Sequence, residues 1–218
     1  MESQKENTKR IAKNTIMLYI RMLFGMLVSL YTSRVVLQAL GVEDYGIYNV
    51  VGGFVAMFSM ISNSLSSSVS RFLTFELGRG DTDRLKKVFS TSVSIHIVLI
   101  IIIFLLAETF GVWFLNNKMT IPDNRLFAAN WVFHASILSF MFSLLSVPYN
   151  ASIIAHERMN IFAYIGIGDV LLRLFVVLFI AYSPWVGDKL ITYALLLVAV
   201  SISIQIFYMF YCRSHFME

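Results

Sequence analysis

The sequence predicts an all-α integral membrane protein with six transmembrane helices, and three observations predict it. Apolar and aromatic residues (AVILMFWYC) make up 58% of 218 positions, against about 45–50% in soluble domains even with glycine counted. Charged residues are 14%, short of the usual ~25%. Mean hydropathy is +0.74, and the apolar residues gather into runs of membrane-spanning length. A water-soluble chain of this size cannot bury so much apolar surface in one core. Lipid is therefore the solvent for most of it. Helices are dictated because lipid offers backbone groups no partners and the runs are too long for barrel strands.

A helix needs about 20 mostly apolar residues to cross a bilayer. Six runs approach or meet that length: 16–40, 47–70, 88–107, 126–154, 162–182 and 190–211. The first is too long for a cleaved signal peptide, carries Arg21 inside it and lacks an A-x-A site. The second is diluted by serine and the fourth carries Pro148, so a strict hydropathy threshold misses both. Pro148 is expected to kink or end its helix near one membrane face. The third, fifth and sixth runs are unambiguous. Residues 108–125 contain Gly111, Trp113 and Pro122 and are expected at the interface, with Trp113 among the head groups. No segment outside the spans could fold as a separate catalytic domain, so residues 1–218 read as one membrane unit.

Direction follows from the cations between spans. Lys5, Lys9, Arg10, Lys13, Arg71, Arg79, Arg84, Lys86, Lys87, Arg158 and Arg213 fall on one side, and only Lys118, Arg125 and Lys189 on the other. Both termini are expected in the cytoplasm. The remaining cations, Arg21, Arg34 and Arg173, fall inside predicted spans.

Ionised groups at mid-membrane are costly and usually face a bundle interior or a wet cavity. Asn14, Arg21, Gly25, Ser29 and Thr32 share one face of the first helix. Arg21 either snorkels to the head groups or lines a cavity, and the continuation of the stripe favours the cavity. Arg34 lies on the opposite face near the outer end, where snorkelling is the simpler reading. On the second helix Asn49, Gly52, Gly53, Ser59, Asn63, Ser67 and Ser70 form a wedge. Small residues there suit close helix packing, and Asn63 is the member singled out to face solute. Asp169 and Arg173 stand four apart on the fifth helix. They either form a local ion pair that eases insertion or line a polar path in which Asp169 exchanges a proton or cation. His96 and His134 read as isolated packing residues.

Several chemistries are excluded. Cys212 is the only cysteine, so no intramolecular disulfide or multi-cysteine zinc site can form. There is no G-x-S-x-G, H-E-x-x-H, P-loop or G-x-G-x-x-G motif, so no enzyme, metal or cofactor is expected. No basic run suits nucleic acid.

Three blocks carry a family resemblance: LGVEDYGIYNVVGG (40–53), SLSSSVSRFLTFELGRGDTDRLKKVFS (64–90) and SVPYNASIIAHERMNIFAYIGIGDVLLRL (146–174). They resemble Wzx-type polysaccharide and O-antigen flippases of the MATE-like multidrug/oligosaccharidyl-lipid/polysaccharide (MOP) exporter superfamily. The resemblance implies two pseudo-symmetric six-helix lobes around a central cavity, which is cationic in such flippases. It also implies flipping of undecaprenyl-pyrophosphate-linked oligosaccharide across the bacterial inner membrane for lipopolysaccharide, capsule or exopolysaccharide synthesis. Coupling to a proton or sodium gradient follows, with polysaccharide polymerase and assembly proteins as partners. Arg21, Arg173 and Arg34 are the candidates to meet a pyrophosphate by charge-assisted contacts, with Asn63 beside them and Asp169 as the ion-coupling candidate.

Relatives of that type have twelve or more spans, so these residues are expected to form an N-terminal lobe that does not transport alone. A MATE-type multidrug antiporter is the alternative on the same fold, but cationic substrates favour acidic cavities, and here intramembrane arginine outnumbers aspartate. A lipid II flippase fits the blocks less well. A non-transporting membrane scaffold applies only to a complete chain.

Overall fold

A computed structural model describes residues 2–183 and 187–216, with side chains other than those of 2–11, 13 and 61. Lys5, Lys9, Arg10 and Lys13, which weigh in the charge asymmetry, have side chains outside the described residues. The described residues are helical almost throughout. In order come α1 (Glu2–Ala56), α2 (Ser59–Arg79), α3 (Thr82–Leu106), a π turn (Ala107–Gly111), α4 (Val112–Asn117), a 3-10 turn (Asp123–Arg125), α5 (Leu126–Leu145), α6 (Val147–Ala155), α7 (Met159–Tyr182) and α8 (Lys189–His215).

Five stretches are long and apolar enough to cross a membrane: Asn14–Ala56, Thr82–Asn117, Asp123–Ala155, Met159–Tyr182 and Lys189–His215. Large apolar side chains stand on the outside, among them Leu27, Leu30, Phe175, Tyr182 and Phe210, a surface suited to lipid rather than water.

Three breaks shape the bundle, and the first is Gly41. Its φ of 81° and ψ of 171° interrupt α1 in a region open essentially to glycine alone. The arm before it runs parallel to α7: Arg21 lies beside Gly166, Gly25 beside Val170, and Val35 and Val36 pack with Val176, Val177 and Ile180. The arm after it runs back along α5 and α8, burying Ile47, Val51 and Val55 against Ala129, Phe133, Ala194 and Val198.

The second break, at Met57 and Phe58, falls inside the predicted span 47–70. That stretch is not one helix: α1 ends at Ala56 and α2 begins at Ser59. Two reversed-turn hydrogen bonds close the gap, Met57 N–H to the Phe54 carbonyl (3.3 Å) and Phe58 N–H to the Val55 carbonyl (3.1 Å). The Ser59 hydroxyl donates to the Ala56 carbonyl at 2.6 Å. Serine dilution leaves α2 outside the five apolar stretches, as expected, whereas the Pro148-bearing stretch is among them.

The third break lies at Ser146, with Pro148 in the first turn of α6. The Ser146 hydroxyl is paired with the Gln205 amide oxygen across to α8. Residues 108–117, expected outside the span, instead extend α3 through the π turn and α4. Trp113 remains exposed, with Lys118 Nζ 5.8 Å from its ring centroid.

One charged cluster ties the end at which α1 reverses. Arg125 donates from Nε to Asp44 Oδ1 (2.7 Å) and from Nη1 to Asp188 Oδ2 (2.8 Å), and its Nη2 pairs with Asp44 Oδ2. Asp188 also caps α8, accepting from the Leu190 and Ile191 N–H groups. The reversal of α1, the start of α5 and the start of α8 thus share one guanidinium.

Gly41→Ala should lower unfolding stability by about 1–3 kcal/mol, the cost of a disfavoured backbone region. The space around Gly41 is open, so strain rather than a clash is responsible. Gly46→Ala, also in open space but with helical geometry, should be neutral or stabilising. Thermal unfolding in detergent separates the two.

Candidate functional site

The side chains of highest chemical interest collect on one face of α7. Phe162, Gly166, Asp169 and Arg173 follow one another at spacings of three and four, which stacks them along a helix. Arg21 comes to this face from α1. Its guanidinium lies 4.0 Å from the Phe162 ring centroid, a cation–π contact, and covers Gly166, where a Cβ would have to displace it. The stripe seen on the first helix therefore turns Arg21 and Gly25 toward α7, while Ser29 stays exposed.

One turn further along, Arg173 Nε donates to Asp169 Oδ1 at 3.0 Å. Tyr208 of α8 is buried nearby, within electrostatic reach of both Arg21 and Asp169. These groups form a polar seam between α1, α7 and α8.

The seam opens on a cavity of about 250 Å³ that Arg173 lines. Ser136, Ser139 and Ser143 of α5, Ser201 of α8 and Tyr48 of α1 line it too. Tyr48 is also in edge contact with Tyr193, ring centroids 5.0 Å apart. A guanidinium among hydroxyls can hold an oxyanion by one charge-assisted bond supplemented by neutral donors. Gly52, from the predicted wedge, forms part of the wall.

Two site candidates stand apart. Arg34 is exposed near the reversal of α1, lining a surface pocket with Tyr31, Gln38, Tyr182 and Lys189. Asn63 is exposed on α2, beyond the break that divides the wedge it belongs to. His96 is buried and its Nδ1 lies 2.7 Å from the Ser92 carbonyl, as a packing histidine should. His134 is not isolated: its Nδ1 lies 3.4 Å from Glu108 Oε1.

Sequence reasoning missed the α5 serines, Gln205 and the Arg125 cluster. The signals were present: serines at positions i, i+3 and i+7 of an apolar run, one glutamine inside the last span, and an acidic pair in the first tight turn.

Against known proteins, no family model matches the chain, and no solved structure does. The uncharacterized membrane protein EpsK of Bacillus subtilis (strain 168) is 26% identical over 190 residues, covering 86% of this chain and 37% of that protein. The similarity is to a membrane protein. It joins the five apolar stretches in supporting a multi-pass membrane protein, one that spans well under half the length of the relative it matches.

Gly166→Ala should be less stable than Gly168→Ala. Both gain helix propensity of up to about 1 kcal/mol, but only position 166 must expel Arg21 from its seat, since Gly168 faces open space. Equal melting temperatures in detergent would remove Arg21 from α7.

Proposed function

We propose that these residues form one six-helix lobe of a MATE/MOP-like transporter of the Wzx type. The lobe serves translocation of undecaprenyl-pyrophosphate-linked oligosaccharide across the bacterial inner membrane during polysaccharide synthesis. One observation carries the reading: Arg173, held by Asp169, lines a serine-walled cavity among apolar helices. An arginine kept in such a place is costly unless it meets a partner, and a diphosphate is a bidentate partner for a guanidinium. The three sequence blocks that resemble such flippases support the same reading.

In this proposal Arg173 is the primary oxyanion contact and the α5 serines supply neutral hydrogen bonds. Arg21 is a second cation about 10 Å further along α7 by helix rise. Asp169 is the coupling residue: protonation or cation binding there would release Arg173 to the substrate. Arg34 and Asn63 are secondary contacts at most. The work is transport without bond chemistry, with no cofactor beyond a coupling proton or sodium ion. Both termini face the cytoplasm, and polymerase and assembly proteins are the partners. A MATE-type cation antiporter remains the alternative; the arginine in the cavity favours the anion.

Binding of undecaprenyl pyrophosphate to the detergent-purified chain tests this. Arg173→Gln should weaken it by about tenfold or more, the scale of a lost charged hydrogen bond, and undecaprenol should not compete. Unchanged affinity in Arg173→Gln, or preference for the lipophilic cation tetraphenylphosphonium, would overturn the reading. Complementation of a flippase-null strain by the 218 residues alone should fail, and success would refute the single-lobe reading.

A further inference from the structure

A second polar cavity lies at the opposite end of the bundle from the Arg125 cluster, remote from the serine-walled one. It has a volume of about 350 Å³ and is lined by Leu77, Leu85, Lys86, His156, Arg158 and His215, with Thr82 and Phe216 completing the wall. Four chain segments build it: the end of α2, the first turns of α3, the α6–α7 turn and the end of α8. None of them is adjacent to all the others in sequence, so the convergence of two obligate cations and two imidazoles is a product of the fold.

The wall is organised rather than a loose set of surface side chains. The His156 ring stacks on Phe216 with centroids 3.9 Å apart and 17° between planes. His215 stacks on Tyr211 at 4.3 Å and 15°, and Tyr211 meets Phe216 edge-on. Each imidazole is also held through Nδ1 near a carbonyl one turn back, that of Ser152 at 2.9 Å and that of Tyr211 at 3.3 Å. Among the described residues no carboxylate lines the cavity. Leu85 is buried and Leu77 and Phe216 half-buried, whereas Lys86, Arg158 and His215 are exposed, so the apolar lining lies deeper than the cations. The cavity also sits at the ends of helices, where a bilayer gives way to head groups.

We propose that this cavity binds a phosphate-bearing anion, with Lys86 and Arg158 as the charged contacts. Arg158 supplies a planar fork and Lys86 a point charge, a combination suited to a phosphodiester or phosphomonoester. Basic pockets between membrane helices take anionic lipid head groups by the same physics. A cationic rim over an apolar floor matches such a lipid, whose phosphate adjoins hydrocarbon; a free phosphate would use the rim alone. The site does not depend on the transport reading, because it shares no residue with the Arg173 cavity.

Native mass spectrometry of the full purified chain with phosphatidylglycerol, phosphatidylcholine or inorganic phosphate tests the assignment. Phosphatidylglycerol should be retained over phosphatidylcholine, and Lys86→Gln/Arg158→Gln should reduce its affinity by about tenfold or more. Arg71→Gln/Arg79→Gln, which removes two cations outside this lining, should leave it unchanged. Displacement of the lipid by millimolar inorganic phosphate would support the phosphate group alone as the ligand. Retention against phosphate would support the lipid. Equal losses in both double variants would reduce the effect to general surface charge and overturn the proposal, as would no loss in either or no binding of any phosphate. The single variants Lys86→Gln and Arg158→Gln, each expected to show a partial loss, serve if the double variant does not fold.

Discussion

Lipid supplies no hydrogen bonds, and the whole architecture depends on meeting that condition at every place where a helix stops being regular. At Met57 and Phe58 the chain does it with tightened backbone bonds and the Ser59 hydroxyl. At Ser146 the hydroxyl's one proton lies between the Phe142 carbonyl, 3.0 Å away, and the Gln205 amide oxygen, and the proline that follows needs no acceptor for an N–H it lacks. At the reversal of α1 the polar load is carried by Asp44, whose carboxylate is buried against Arg125. Side-chain hydroxyls thus complete the backbone at two of these breaks, and a buried ion pair braces the third.

The same condition governs the charges. Asp169 and Arg173 share a helix face and neutralise one another, while Arg21 lies on an aromatic ring across a gap that glycine leaves open. Each device lowers the cost of a charge without discharging it, which leaves the guanidinium available to a stronger partner. The Ser201 hydroxyl on the cavity wall acts alike. Serines in helices return their protons to carbonyls one turn back when nothing else is offered, as Ser201 does with Leu197 at 3.0 Å. The Ser201 hydroxyl is thus satisfied within its own helix.

Most of this organisation is legible in the sequence, for reasons that differ by feature. The apolar runs of α3, α5, α7 and α8 announce themselves because lipid selects composition directly. The Asp169–Arg173 pair is legible because i,i+4 spacing fixes a contact within one helix. The division of span 47–70 is not, since glycine and serine suit both close helix packing and a helix break, and only the surrounding helices decide between them. Arg125 looks like an ordinary loop cation because its carboxylates come from positions 44 and 188, far away in the chain. Arg34 carries the same charge as Arg173 in sequence, and Asn63 is a neutral polar group, but helix rotation and the break in the wedge send them elsewhere.

The reversal at Gly41 also bears on how the chain enters its membrane. The α1 arms turn about a single residue, so no exterior loop separates the first pass from the second. The serine-rich α2 is too polar to qualify among the apolar stretches, and its own partitioning into lipid is a weak drive. It follows the second arm of α1 across Met57 and Phe58, so the returning half of the hairpin made at Gly41 is what draws it in. Biogenesis of this bundle then rests on its first hairpin, because the more strongly apolar stretch Thr82–Asn117 is made only after it.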